Sequence, residues 1–107
     1  MPVTLTISEN IAQQLDSVSW AQGEGIENKL SRLLEAEYRR RLAHYHLTDR
    51  HLTVKYGMSF DEFERQEMTR TKGYTWDVES DAIAWETAVD GIYTVERQLR
   101  ELLNGDH

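Results

Sequence analysis

The chain has 107 residues, of which 39% are hydrophobic and 29% charged, and its formal net charge is −7. This length suffices for one domain, or for a small domain with an appendage. The absence of cysteine excludes disulfides, thiolate metal sites and a cysteine nucleophile. No apolar run reaches the ~18 residues of a membrane span, and no signal peptide opens the chain. We therefore expect a cytosolic, cytoplasmic protein that does not contact a membrane.

The negative charge is concentrated in the second part of the chain. Residues 1–43 contain five Lys/Arg and six Asp/Glu, whereas residues 44–107 contain seven Lys/Arg and thirteen Asp/Glu. The net charges of these parts are thus −1 and −6. An acidic C-terminal half suits a basic partner and argues against general coating of nucleic acid. The simpler alternative is that the negative charge serves only to keep the protein soluble.

The first predicted element is a strand at residues 3–7, where apolar and hydroxyl side chains alternate. This period of two places Val3, Leu5 and Ile7 on one face, and Thr4 and Thr6 on the other. Ser8 follows as a predicted helix N-cap.

Two helices are predicted next, over residues 9–22 and from about Ile26. The Gly23-Glu24-Gly25 turn separates them. The apolar stripe of the second helix continues at steps of three and four as far as Tyr56, which predicts one long helix ending at Gly57. Residues 52–56 also alternate, so a short strand there is the rival interpretation.

A capping box formed by Ser59 and Glu62 predicts a third helix, which extends to about Met68. Residues 69–76 are typical of a loop. A helical pattern returns from Asp77 to Leu103. Gly91 weakens its middle by about 1 kcal/mol relative to alanine, so two helices divided at Gly91 are the alternative.

A single strand needs a partner, because its backbone donors and acceptors are otherwise unpaired. A second copy of the chain can supply that partner about a two-fold axis, with the helices packed beneath the paired strands. The sequence therefore predicts a homodimer. The expected dimerisation residues are the apolar ones of the strand and second helix: Val3, Leu5, Ile7, Leu30 and Leu34.

Residues 2–42 resemble the ribbon-helix-helix fold, with its strand, serine N-cap, helix, glycine turn and second helix. The resemblance implies a mainly α protein whose N-terminal unit binds operator DNA and regulates transcription. By position, Thr4 and Thr6 would enter the major groove, while Gly25 and Asn28 would meet phosphate. The chain departs from the family pattern because no basic residue precedes Lys29, and because glutamates flank the phosphate site.

Residues 47–103 resemble the tails of small antitoxins of type II toxin–antitoxin pairs. The resemblance rests on the runs Leu47 to Phe60 and Gly73 to Trp76, and on an acidic helix around Trp85. It implies a head at residues 1–45 and a helical region at 46–107 that binds a toxin, such as an RNase. The residues expected to bind the toxin are Phe60, Phe63, Tyr74, Trp76, Trp85 and Ile92. Their alternative role is to form the core of this chain.

Catalysis by this chain is not expected. No glycine-rich phosphate loop or nucleophile elbow is present, and no pair of carboxylates stands out for acid–base chemistry. His44, His46 and His51 lack the spacing of a metal site, so we expect neither metal nor cofactor.

Two other hypotheses for the function are a stand-alone ribbon-helix-helix repressor, and a structural helical subunit in which residues 3–7 pair with 52–56.

Overall fold

The computed structural model describes residues 1–18 and 23–105, and these residues form a mainly α protein. The helices are α1 (Glu9–Ser17), α2 (Ile26–Tyr56), α3 (Phe60–Arg65), α4 (Met68–Thr71) and α5 (Trp76–Asn104). The chain divides into two compact units, Met1–Ala36 and Glu37–His107. The division lies within α2, earlier in the chain than the boundary between residues 45 and 46 that the resemblance implies.

The predicted strand at residues 3–7 is wrong, and with it the ribbon-helix-helix fold class. None of the described residues forms a strand, and residues 1–8 have no regular secondary structure. Val3 and Leu5 are 88% and 67% exposed. Alternation gives a segment only the potential for a strand, because strand hydrogen bonds require a neighbouring edge. The internal partner considered for this segment, residues 52–56, is helical.

The first unit is held together by a buried lysine. Ser8 caps α1 as predicted, since its Oγ accepts a hydrogen bond from the Ile11 N–H at 3.2 Å. Lys29 of α2 is 7% exposed, and its Nζ donates to the Leu15 carbonyl at 3.0 Å. A cation here satisfies a carbonyl at the C-terminal end of α1 and suits the helix dipole. α1 ends at Ser17, earlier than predicted, and residues 19–22 of the predicted helix lie outside the described residues.

The prediction of one long second helix is confirmed. α2 includes residues 52–56 and ends at Tyr56, one residue before the expected stop. Gly57 adopts a φ of 67°, and its N–H donates to the Thr53 carbonyl at 2.8 Å. This left-handed conformation favours glycine and ends the helix.

The predictions for residues 59–76 are partly confirmed. Ser59 caps α3, because its Oγ accepts from the Glu62 N–H at 3.2 Å, but α3 ends at Arg65 rather than near Met68. The single turn α4 begins at Met68 and occupies the first residues of the predicted loop. Its end is a Schellman motif, in which Gly73 N–H donates to Arg70 O at 3.0 Å and Tyr74 N–H to Thr69 O at 2.8 Å.

The last helix is continuous, so Gly91 does not divide it. A Cβ atom at Gly91 would lie 2.7 Å from two ring carbons of Tyr45 in α2. The missing side chain thus permits this ring to pack against α5. The core of the second unit is formed by Leu52, Phe63, Val78 and Trp85, which join α2, α3 and α5.

Candidate protein-binding surface

The six residues expected to bind a toxin, five of them aromatic, fall into two groups. Phe63 and Trp85 are 2% and 0% exposed and belong to the core. Their ring centroids are 5.1 Å apart, and that of Phe60 lies 5.4 Å from Trp85. Ile92 is half-buried. These four side chains thus contribute mainly to the stability of this chain's own helical unit.

Trp85 also anchors α5 through its polar atom. Its indole N–H donates to the Asp49 carboxylate of α2 at 2.8 Å. The ring of Tyr56 stacks on Trp85 with a centroid separation of 5.8 Å. A buried indole satisfied in this way fixes the rotation of α5 about its axis, and so determines which residues of α5 point outward.

A second polar cluster ties the start of α5 to the end of α2. Asp81 accepts hydrogen bonds from Lys55 Nζ at 2.6 Å and from Tyr56 Oη at 2.7 Å. Burial by itself would raise the pKa of Asp81, but these two hydrogen bonds outweigh it and hold the pKa below its ordinary value. Burial and the hydrogen bond to Asp81 raise the pKa of Tyr56 to about 12. Both groups therefore keep one charge state near neutral pH and serve to position the helices.

The second aromatic group, Tyr74 and Trp76, lies on the surface. The two side chains are 60% and 79% exposed, at the junction between α4 and α5. Tyr74 has a φ of 54°, a conformation that bulky residues rarely adopt. The Thr75 hydroxyl caps α5 next to them, accepting from the Val78 N–H at 3.4 Å. The junction therefore presents two large aromatic side chains next to a capped helix start.

Exposed apolar residues continue along the outward side of α5. Ile83 follows Trp76 by seven residues, which places it on the same helix face, and it is 67% exposed. Tyr93 is 72% exposed farther along the helix. The α5 outer face, as we define it, comprises these three residues and the neighbouring carboxylates: Trp76, Glu79, Ile83, Glu86, Asp90 and Tyr93.

Sequence reasoning missed Ile83 and Tyr93 as candidates for binding. The available signal was their position outside the apolar stripe that contains Val78 and Trp85. A large apolar residue away from the buried stripe of an amphipathic helix indicates either chance exposure or an interface. Trp76 and Ile83 are seven residues apart and so share a helix face, and this spacing would have favoured the interface.

Residues of α3, α4 and α5 line a cleft of about 320 Å³, which we call the cleft below α4. Apolar side chains from the edge of the core, charged side chains and the Tyr74 ring all contribute to its lining. The lining residues are Phe63, Glu64, Glu67, Met68, Thr69, Arg70, Tyr74 and Ala82. The cleft thus extends from the aromatic surface to the core.

The residues expected to bind DNA lie at exposed positions, Thr4 and Thr6 before α1, and Gly25 and Asn28 at the start of α2. Thr4 and Thr6 are exposed and lie outside any strand. Asn28 donates from its side-chain amide to the Glu24 carboxylate, which Arg32 Nε also contacts at 2.9 Å. The Asn28 side chain is therefore engaged within the chain, and a carboxylate already paired with Arg32 lies beside the α2 N-terminus that was expected to meet phosphate.

The residues expected at a dimer interface differ in burial. Leu30 is half-buried, and Leu34 is 46% exposed. Ile7 is 37% exposed, while Val3 and Leu5 are more so. These side chains thus do not form a shared core within the first unit.

The structure also bears on metal and membrane binding. Within residues 1–18 and 23–105, no group of three or more His, Asp or Glu side chains is arranged to hold a metal ion. In the same part of the chain, no helix combines the length and apolar character that crossing a membrane requires.

Comparison of this chain with protein-family models, with curated proteins and with solved structures gives no match.

Proposed function

We propose that this chain is an antitoxin that neutralises a basic toxin protein by binding it through the α5 outer face. One observation carries the proposal: Trp76, Ile83 and Tyr93 are all more than 60% exposed along a helix whose opposite side is anchored by the buried Trp85. Trp and Tyr are the residues that most often dominate the binding energy of protein interfaces.

The anchoring of α5 favours binding because the surface is ordered in advance. Trp85 and Asp81 each contact α2 through a hydrogen bond of less than 3 Å. A partner that docks on such a helix does not have to order its backbone, which otherwise costs part of the binding free energy.

Charge indicates the chemistry of the partner. Residues 57–96 contain ten Asp/Glu and three Lys/Arg, so this segment alone accounts for a net charge of −7. The remaining residues balance to zero. A toxin that acts on RNA needs a basic surface for the phosphates, and an acidic protein can occupy that surface. Opposite charges also accelerate the encounter of the two proteins.

Operator binding is not part of this proposal. The strand that would carry Thr4 and Thr6 into DNA is absent, and the Glu24 carboxylate lies beside the proposed phosphate site. The free-standing repressor depends on the same strand, and the structural subunit depends on strand pairing by the helical residues 52–56.

The test is co-expression of this chain with the protein encoded by the neighbouring reading frame. We expect the neighbour to arrest growth when expressed alone, and to be harmless and co-purify when the full chain is present. Trp76→Ala should abolish the rescue or weaken binding by about 30-fold or more, because truncation of a hot-spot residue costs about 2 kcal/mol or more.

The matched control is Val54→Ala, which removes a side chain of α2 that is 77% exposed and lies outside the α5 outer face. This variant should rescue growth like the unchanged chain. A neighbour that is harmless alone, or rescue that survives Trp76→Ala together with Ile83→Ala, would contradict the proposal.

A further inference from the structure

We infer that the cleft below α4 is an arginine-binding site that receives one guanidinium side chain of the basic toxin. This inference rests on the proposed function and deepens it by naming the chemistry of one contact. At about 320 Å³ the cleft is at the small end of ligand pockets, and so fits a single long side chain better than a larger ligand.

The apolar part of the cleft lining suits the hydrocarbon part of such a side chain. Met68 and Ala82 are half-buried, pack against the core beside the buried Phe63, and line the cleft. Arginine buries its methylene stem along apolar surface and keeps the guanidinium at the polar rim. A short cation or a free metal ion would make no favourable contact with these apolar side chains.

The rim provides carboxylates for the guanidinium. The Glu64 carboxylate makes no hydrogen bond or ion pair with any residue in the described part of the chain. The Glu67 carboxylate contacts only Arg70 there, at 3.4 Å between two side chains that are 66% and 68% exposed. Exposed pairs of this kind contribute about 0–1 kcal/mol, so an incoming arginine can displace Arg70 at little cost.

The Tyr74 ring distinguishes arginine from lysine as the ligand. It lines the same cleft as the two glutamates. A guanidinium is planar, stacks on aromatic rings and donates two parallel hydrogen bonds to a carboxylate, whereas an ammonium is a strongly hydrated point charge. The apolar lining matches the methylene stem of an arginine, the two carboxylates match its positive charge, and the Tyr74 ring matches its planar guanidinium.

The experiment is an NMR titration of the full chain with N-acetyl-arginine amide, and separately with the neutral isostere N-acetyl-citrulline amide. Arginine should shift the backbone amides of residues 63–74 and bind about fivefold or more tightly than citrulline. Glu64→Gln with Glu67→Gln should weaken arginine binding about tenfold. Arg70→Gln should strengthen it severalfold, because the competing cation is removed.

The control for the charge change is Glu96→Gln with Glu101→Gln, which also removes two carboxylates from unit 2, at residues outside the cleft. This control should bind arginine like the unchanged chain. Equal binding of citrulline and arginine, or unchanged binding after Glu64→Gln with Glu67→Gln in a variant whose NMR spectrum shows it to be folded, would overturn the inference.

The outcomes separate the inference from the proposed function. If the neighbouring protein co-purifies through Trp76 but the cleft does not prefer arginine, the proposed function stands and the inference is wrong. If arginine binds selectively but no toxin is neutralised, the site is real and the antitoxin function fails.

Discussion

Single residues determine how α5 packs on α2 and which of its side chains are exposed. Trp85 has no exposed surface, yet its N–H is satisfied by Asp49. Lys55 and Tyr56 satisfy Asp81 from the adjacent helix. Loss of one partner from a buried hydrogen bond leaves an unsatisfied group and costs about 1–3 kcal/mol. These residues therefore determine the surface indirectly, by fixing the helix that carries it.

The phenol of Tyr56 should lose its proton only at high pH. Its pKa is raised to about 12 by burial and by the hydrogen bond to Asp81. Because the folded state binds this proton more tightly, the associated stability is complete below the ordinary pKa near 10, and is lost as the pH rises through about 12. Ultraviolet absorbance of tyrosinate should therefore show a component near pH 12 that Tyr56→Phe removes.

Asp81→Asn is the control for this assignment. It removes the negative charge and the carboxylate oxygen that accepts the hydrogen bond from the phenol, so the Tyr56 pKa should fall towards its ordinary value. A component near pH 12 that persists in Tyr56→Phe would show that another tyrosine is responsible.

At the scale of elements, local signals explain where several helices begin or end. Ser8, Ser59 and Thr75 each accept a backbone hydrogen bond at a helix start. The first two were predicted from the sequence, because a hydroxyl N-cap is recognised without tertiary contacts. α4 was missed because a single turn offers too few residues for a helical pattern. Its glycine stop, Gly73, gives no separate signal, because glycine is also common in loops.

The packing of α2 on α5 should depend on the absence of a side chain at Gly91. If α5 were an isolated helix, Gly91→Ala would stabilise its helical state by about 1 kcal/mol. In the folded chain the new methyl group meets the Tyr45 ring, and overpacking costs about 1–3 kcal/mol. We therefore expect Gly91→Ala to destabilise the second unit by about 1 kcal/mol in urea unfolding.

A background with Tyr45→Ala should reverse the sign of this effect, because the methyl group then meets no ring. Gly91→Ala would stabilise that background by about 1 kcal/mol. An effect of the same sign in both backgrounds would contradict a direct contact between the two positions.

At the scale of the whole molecule, the two units differ in how much apolar surface they bury. Within residues 1–18 and 23–36, Leu15 is the only buried apolar side chain, whereas the second unit buries Trp85, Phe63 and several aliphatic residues. Units of fewer than about 40 residues seldom bury enough surface to be stable alone. Net stability should therefore reside mainly in residues 37–105.

Hydrogen exchange of the full chain in increasing urea should reveal this difference. Amides of α1 should exchange at lower urea than amides in the middle of α5, because local unfolding free energies follow local burial. Lys29→Met, which removes the donor to the Leu15 carbonyl, should accelerate exchange in α1 further and leave α5 unchanged. Exchange of both helices at one common urea concentration would indicate a single cooperative unit.

The sequence by itself determined the mainly α class, the long second helix, two serine caps and the acidic character of residues 44–107. These properties follow from spacing, capping chemistry and charge, which act over a few residues or need no contacts. Tertiary structure alone decided that residues 3–7 form no strand, because a strand requires a neighbour that local alternation cannot supply. It also decided that Trp85 and Phe63 are buried while Trp76 and Tyr74 are exposed. All four are aromatic residues in the same acidic region, and only the packing of α5 on α2 and α3 distinguishes core from surface.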